Sequence, residues 1–559
     1  MATLSQFLVS EIKRNGIKQL FGIPGDFVLD LFARFDESGE FEIVRLSHEP
    51  GLGFAAQASA RCTKNLAVCC VTYGVGALNT INPIACAYAE KVPVVLISGG
   101  PGKKEGESGL LLHHQAKSLR SQLHIFQELT EVSFILDNPN EAARNIRRAF
   151  NSAKASLRPV YLEVPRDMVD VNISIPADLD NEVIKDDIFL TKEAAKEITT
   201  KIFNSKKPTL MIGVEVERQN LTSKAIEIAE RYNLPVVTSF LGRGGFPIDH
   251  PNYLGCYCGF ISPQEVKSAV DESDCLIMCG VLLTDTNMGY DLLKIPEQLR
   301  IHCVNRAASI NKRTFENVTL EGLFNEMLHG NRVESLKGGK DSRIQKRTTF
   351  THEDLIRIKK PTKPVFQIPS SSKQIKVSQV VDGLNWFLNE VEQLPVVVDT
   401  GDVLFAGYEL YANEVYGTPF YATMGFAVPS AIGIQISTKK RPLVLVGDGA
   451  FQMTGHEISW APFYELNPII VVFNNSAWEM LKGFKGDAQY NDIVSWPFET
   501  LANAWGGKGY KVTNANHFIE SLLDAHKQKY FTILDVELEK GDITRTLKTF
   551  TDQIIKGRK

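Results

Sequence analysis

Asp448 sits in Gly447-Asp448-Gly449, closing the apolar run Leu443-Val444-Leu445-Val446, and Asn475 sits in Asn474-Asn475, closing Ile469-Ile470-Val471-Val472-Phe473. The stretch between them is long enough for a crossover helix. The two runs therefore read as parallel neighbours about 4.8 Å apart, with their carboxyl ends side by side. Asp448 and Asn475 can then face one point. A carboxylate, an amide oxygen and nearby backbone carbonyls suit a hard divalent cation that keeps waters and shares phosphate oxygens. Gly449 lets the backbone approach a diphosphate closely. Either residue alone would be an ordinary turn residue; the pair at this spacing carries the reading.

The elements that hold such a pair must be parallel sheets with helical crossovers. The first 180 residues alternate helical periods with strand-like runs at 66 to 72 and 92 to 98. A second set of runs, at 209 to 213, 235 to 237, 275 to 278 and 301 to 304, reads as another parallel sheet, and a third set lies at 395 to 399, 443 to 447, 469 to 473 and 532 to 537. The expected organisation is three consecutive parallel-sheet α/β domains, 1–182, 190–335 and 373–559, with a charged linker at 336–372 closing with Pro361 and Pro364. Gly74-Val75-Gly76 and Gly100-Pro101-Gly102-Lys103 lack the glycine spacing of a nucleotide loop.

Composition agrees with this layout. A chain of 559 residues is too long for one core. Its net charge of −4 argues against nucleic acid, and no run of 18 uncharged apolar residues suggests a membrane span. The first residues enter an amphipathic helix rather than a signal segment, so a cytoplasmic protein is expected. Nine cysteines, an odd number lying mainly in apolar runs, suggest reduced, buried thiols, and Cys256 with Cys258 has no second pair at zinc-site spacing.

The Asp448–Asn475 pattern resembles the signature of thiamine diphosphate enzymes. Ser47-His48-Glu49-Pro50, Gly22-Ile23-Pro24-Gly25-Asp26 and Leu112-His113-His114-Gln115 are similar to the 2-oxo acid decarboxylases, the pyruvate, phenylpyruvate and indolepyruvate decarboxylases in particular. The similarity covers nearly the whole chain. It implies pyrimidine-binding, central and diphosphate-binding domains, with thiamine diphosphate and Mg2+ as cofactors. By that resemblance Asp448, Asn475 and the Ala477 carbonyl form the metal shell. Glu49 hydrogen-bonds the aminopyrimidine ring, Met424 wedges between the cofactor's rings, and the Ala422 carbonyl accepts from the pyrimidine amine. Thr72, Thr400, Asp402, Gly449 and Ala450 complete the cofactor contacts. Asp26, His113 and His114 form a proton relay, since a carboxylate with imidazoles near neutral pKa can both give and take a proton.

The chain departs from the family at one acid. Pyruvate decarboxylases carry a glutamate where this chain has Leu481, and Glu479, two residues earlier, is turned by about 200° on a helix. Asp285, just past a central strand, is the expected replacement, as in phenylpyruvate-type relatives. Leu404 stands where pyruvate-specific relatives have tryptophan. With Met480 and Leu481 it implies room for an aryl ring and favours phenylpyruvate or indolepyruvate, the alternatives being pyruvate or branched-chain 2-oxo acids. A carboligase of the acetolactate synthase type or a flavin oxidase would keep Glu49 and Asp448 without needing the histidine pair. A cofactor-binding subunit without turnover would fit the missing acid but not the intact Glu49 and histidines. The family also implies a homodimer at minimum, and a homotetramer beyond it, with each site shared between chains.

Overall fold

The computed structural model describes residues 2–179, 185–290, 295–329 and 365–557. Most of the expected linker, including Pro361 and Pro364, lies outside them. Three sheets organise the chain. In the first, six parallel strands stand in the order Glu42–Val44, Gln19–Gly22, Ala67–Val71, Val94–Gly100, Val160–Pro165, Ser133–Ile135. In the last, six parallel strands stand in the order Val415–Tyr416, Val396–Val398, Leu443–Gly447, Ile469–Asn474, Thr532–Glu537, Lys508–Val512. Their central strands are buried along their whole length or nearly so, because helices cover both faces, and this is why they read as unbroken apolar runs.

Numbered in chain order within each sheet, the strands of both follow the same sequence, 2-1-3-4-6-5. Each sheet therefore has its topological switch point between its first and third strands, where the loops leaving their carboxyl ends diverge and leave a crevice. In the first sheet those loops begin at Ile23 and Thr72. In the last they begin at Asp399 and Asp448.

The middle sheet has seven strands and is mixed. Tyr253–Tyr257, Val236–Ser239, Pro208–Ile212, Cys275–Cys279 and Arg300–Val304 are parallel, and Ala307–Ile310 and Arg313–Glu316 then fold back antiparallel. The fold-back turns on Asn305 and Arg306, both with positive φ (54° and 58°), as a two-residue hairpin of this hand requires.

The first and last sheets are joined by two helices. Glu49–Thr63 crosses Ala427–Thr438 so closely that a Cβ on Gly433 would stand 2.1 Å from the Ala55 carbonyl oxygen. Phe54, Ala55, Phe426, Ala427 and Ala431 belong to one apolar core spanning both units. Among the described residues no helix is long and apolar enough to cross a membrane, and all nine cysteines are free, eight of them buried.

Candidate active site

At the last sheet's switch point, Asp448 opens the helix Asp448–Thr454 and is 2% exposed. Its Oδ2 accepts from the amides of Asn475 (3.1 Å) and Ser476 (2.6 Å), and Oδ1 from that of Gly449 (2.8 Å). Asn475 Oδ1 accepts from the Ala477 amide at 3.1 Å, and Ser476 between them takes a positive φ of 56°. The Asp448 carboxylate thus holds the tight turn Asn475-Ser476-Ala477. Burial pushes the Asp448 carboxyl up to about 6, against the opposing pull of the backbone amides. Among the described residues no cationic side chain pairs with it, and the groups that act against burial are backbone amides. A buried carboxylate lacking a countercharge beside an amide oxygen is the donor set a hard divalent cation satisfies, so the site fits Mg2+ and a diphosphate. Gly449 is required here, because a Cβ would meet the Trp478 indole nitrogen at 2.5 Å.

The neighbouring loop is held by a residue the sequence reading passed over. Asp399, fully buried at the end of Val396–Val398, accepts from the amides of Thr400 (2.8 Å), Gly425 (2.9 Å) and Ala427 (2.8 Å). Burial pushes its carboxyl up to about 6. Thr400 Oγ1 donates to the Thr423 carbonyl (2.9 Å) and Thr454 Oγ1 to the Gly425 carbonyl (2.6 Å). These bonds fix Ala422-Thr423-Met424-Gly425, in which Ala422 has φ of 55° and Gly425 of 84°. Met424 packs against the shared core, and Ala450 is buried beside it. The Asp402 carboxylate instead accepts from the Thr544 amide and hydroxyl (2.5 Å to the latter), anchoring the helix Arg545–Gly557, and burial pushes it up to about 7.

The first sheet's switch point gathers the other half. Asp26 Oδ2 is hydrogen-bonded to His113 Nε2, and Asp26 Oδ1 lies 4.0 Å from His114 Nδ1. Burial acts to raise the Asp26 carboxyl, but the His113 hydrogen bond and the two imidazoles outweigh it and hold it below the usual range. Phe27 stacks on His113 with centroids 4.7 Å apart. Thr72 Oγ1 accepts from the Phe27 amide at 3.4 Å. Glu49, in the first turn of its helix, accepts from Asn79 Nδ2 at 3.1 Å, and its Oε1 would stand 3.4 Å from a Cβ on Gly76.

The two halves touch through other groups. Glu457, 0% exposed and just after the Asp448 helix, accepts from the amides of Ser47 (2.8 Å) and His48 (3.0 Å), immediately before Glu49. Asn82 Nδ2 donates to Thr423 Oγ1 at 3.1 Å. Among the described residues no hydrogen bond or ion pair joins Glu49, Asp26 or the histidines to Asp448, Asn475 or Thr400.

Asp285 is exposed in the loop after Cys275–Cys279, its Oδ1 accepting from the Thr286 amide at 2.7 Å. The loop reaches the last unit through Tyr290, whose ring lies 5.5 Å from that of Phe550, and Phe550 also meets Phe484 on the helix Glu479–Lys485. On that helix Glu479 is turned inward, 5% exposed, and Leu481 outward, 49% exposed. Met480 packs against Phe405, Leu547 and Phe550, and Leu404 lies in a different core, against Val398 and Gly417. Of the three apolar residues expected around an aryl group, Leu481 is the one left open.

Known proteins carry the same organisation. The N-terminal thiamine pyrophosphate binding domain of thiamine pyrophosphate enzymes matches residues 2–127, their central domain 195–330, and their C-terminal thiamine pyrophosphate binding domain 399–536. Indole-3-pyruvate decarboxylase of Azospirillum brasilense is 36% identical, over 98% of this chain and 97% of its own length. Pyruvate decarboxylase isozyme 3 of Saccharomyces cerevisiae is 27% identical over 96% and 95%, and pyruvate decarboxylase 3 of Arabidopsis thaliana 26% over 98% and 92%. The chain belongs to the thiamine pyrophosphate enzymes. Within them it is a thiamine diphosphate-dependent 2-oxo acid decarboxylase.

Proposed function

We propose that the substrate is an aromatic 2-oxo acid, phenylpyruvate or indolepyruvate, released as the aldehyde and carbon dioxide, with Mg2+ bound through Asp448, Asn475 and the Ala477 carbonyl. The observation that carries this is Leu481, an open apolar side chain where pyruvate decarboxylases place an acid, with Glu479 turned away from it. The higher identity to an indole-3-pyruvate decarboxylase than to pyruvate decarboxylases points the same way.

Bound thiamine diphosphate supplies an electron sink that no side chain offers. Glu49 holds the aminopyrimidine ring and its proton. Thr72, Gly449 and Ala450 would line the cofactor's site, the Ala422 carbonyl would accept from the pyrimidine amine, and Met424 would support the two rings. Thr400 and Asp402 shape the diphosphate end, Asp402 through the Thr544 anchor. Asp26, His113 and His114 would hold the proton that the product carbon gains and accept the one given up when the aldehyde forms. Asp285 supplies the further carboxylate that Leu481 lacks. Glu49 and the Asp26 relay bond to none of Asp448, Asn475 or Thr400, although Glu457 and Asn82 tie the two halves together, and each site is completed by a second copy, in a dimer or a dimer of dimers. The enzyme works in the cytoplasm.

Purified protein with thiamine diphosphate and Mg2+, coupled to an NADH-dependent alcohol dehydrogenase that accepts aryl aldehydes, tests this. Higher kcat/KM for phenylpyruvate or indolepyruvate than for pyruvate is expected. Preference for pyruvate would overturn the substrate class, and a carboligated product in place of aldehyde would overturn the reaction.

A further inference from the structure

Gln122 is 2% exposed at the start of the helix Ser121–Leu129, and its amide is engaged at both ends. Its Oε1 accepts from the Gly74 amide at 2.7 Å. Its Nε2 faces Ser98 Oγ (3.0 Å), the Tyr161 hydroxyl (2.5 Å) and Glu163 Oε2 (3.3 Å), and Tyr161 in turn donates to Glu163 at 2.6 Å. Ser98 and Glu163 are paired across adjacent strands, so this network rests on the rigid centre of the first sheet.

The amide that Gln122 holds belongs to the peptide unit joining Tyr73 to Gly74. The carbonyl of that unit is the one that meets His114 Nδ1, at 3.1 Å. In a planar trans peptide the N–H and C=O point in opposite directions, so fixing one fixes the other. A carbonyl can only accept, so His114 carries its proton on Nδ1 and leaves Nε2 free. Gly74, at φ of 66°, lies so close to His114 that a Cβ would stand 2.1 Å from the His114 carbonyl oxygen. The turn and the histidine therefore move together.

We propose that Gln122 is a positioning residue that sets the tautomer of His114 through the Tyr73–Gly74 peptide, keeping Nε2 ready to exchange protons. The inference rests on the relay role given above to His114. Gln122→Leu keeps the volume and removes the acceptor. Gln122→Glu keeps an acceptor for the Gly74 amide, and Glu163, which burial already pushes up to about 7, provides the proton that two facing carboxyls must share.

The first readout is nitrogen NMR of 15N-histidine-labelled, cofactor-free protein, with the His114 signals assigned from His114→Gln. Wild type and Gln122→Glu are expected to hold the Nδ1–H form, and Gln122→Leu to relax to a mixture of tautomers. The second is single-turnover partitioning in the loaded enzyme. Gln122→Leu is expected to release carbon dioxide at a near-normal rate and aldehyde about tenfold more slowly, less than the roughly 10²–10⁴-fold of a proton-transfer group removed outright, because His114 itself is retained. An unchanged His114 tautomer in Gln122→Leu would overturn the proposal. Loss of the Nδ1–H form in Gln122→Glu as well would also overturn it, since the acceptor would then be irrelevant. Normal aldehyde release by His114→Gln would instead sink the relay role, leaving the tautomer result to decide the positioning role alone.

Discussion

Leu481 and Asp285 concentrate the question of specificity in two side chains. In the site proposed above, an acid at 481 would project where Leu481 now stands half exposed, bringing a charge to an aryl group and a proton donor to a small substrate. Leu481→Glu is therefore expected to lower kcat/KM for phenylpyruvate at least tenfold and to narrow its advantage over pyruvate, as steady-state kinetics on both would register. Asp285→Asn keeps the loop's Thr286 contact and removes the charge. A tenfold or greater fall in kcat with cofactor affinity preserved is expected, and turnover equal to wild type would remove Asp285 from the mechanism. Asp448, Asn475 and the histidine pair were legible in the sequence because each lies in a short local pattern. Glu457 was not, because its partner Ser47 is 410 positions away and only the packed helices bring them together.

Strands buried on both faces announce themselves as continuous apolar runs, so Ala67–Val71, Ile469–Asn474 and Thr532–Glu537 fall where the sequence placed them. Tyr253–Tyr257 and Lys508–Val512 stand at or beside sheet edges, are only partly buried and carry glycine and lysine, which blurs the signal. The hairpin at Asn305-Arg306 was hidden for another reason. One of its two positive φ values falls on an arginine, where sequence leads one to seek glycine. The loop 422–425 shows how far an element depends on one hidden anchor. Asp399→Ala removes the acceptor from three amides, two of them buried, a loss of roughly 1–3 kcal/mol for each buried group left unsatisfied. Thiamine diphosphate affinity, followed by fluorescence titration, is expected to fall more than tenfold while far-UV circular dichroism is unchanged.

Across the whole molecule, burial raises a set of carboxyls: Asp399 and Asp448 to about 6, and Glu163, Asp402, Glu457 and Asp535 to about 7. An acid whose folded pKa exceeds its unfolded value binds more protons when folded. Its contribution to stability is therefore largest at low pH and is lost as pH rises from the unfolded value, near 4, through the folded one. Asp26, held low, works in the opposite sense as pH falls. The cofactor-free protein is expected to melt at a lower temperature at pH 8 than at pH 6, in calorimetry at fixed protein concentration. Mg2+ with thiamine diphosphate should release protons on binding near pH 6 and fewer at pH 8, as the cation drives the Asp448 carboxyl to its charged form. Calorimetric titration in buffers of different ionisation enthalpy measures that number.

A site shared between two copies, as proposed above, makes lesions at Glu49 and at Asp448 genetically complementary. Glu49→Gln and Asp448→Asn homo-oligomers are each expected to be inactive, but a mixed pair would have one site carrying both lesions and one carrying neither. Co-refolding or co-expressing the two inactive variants in equal amounts should restore about a quarter of wild-type activity, since half the random pairs are mixed and half their sites are whole. A mixture as inactive as its parents would place both residues in one subunit's site.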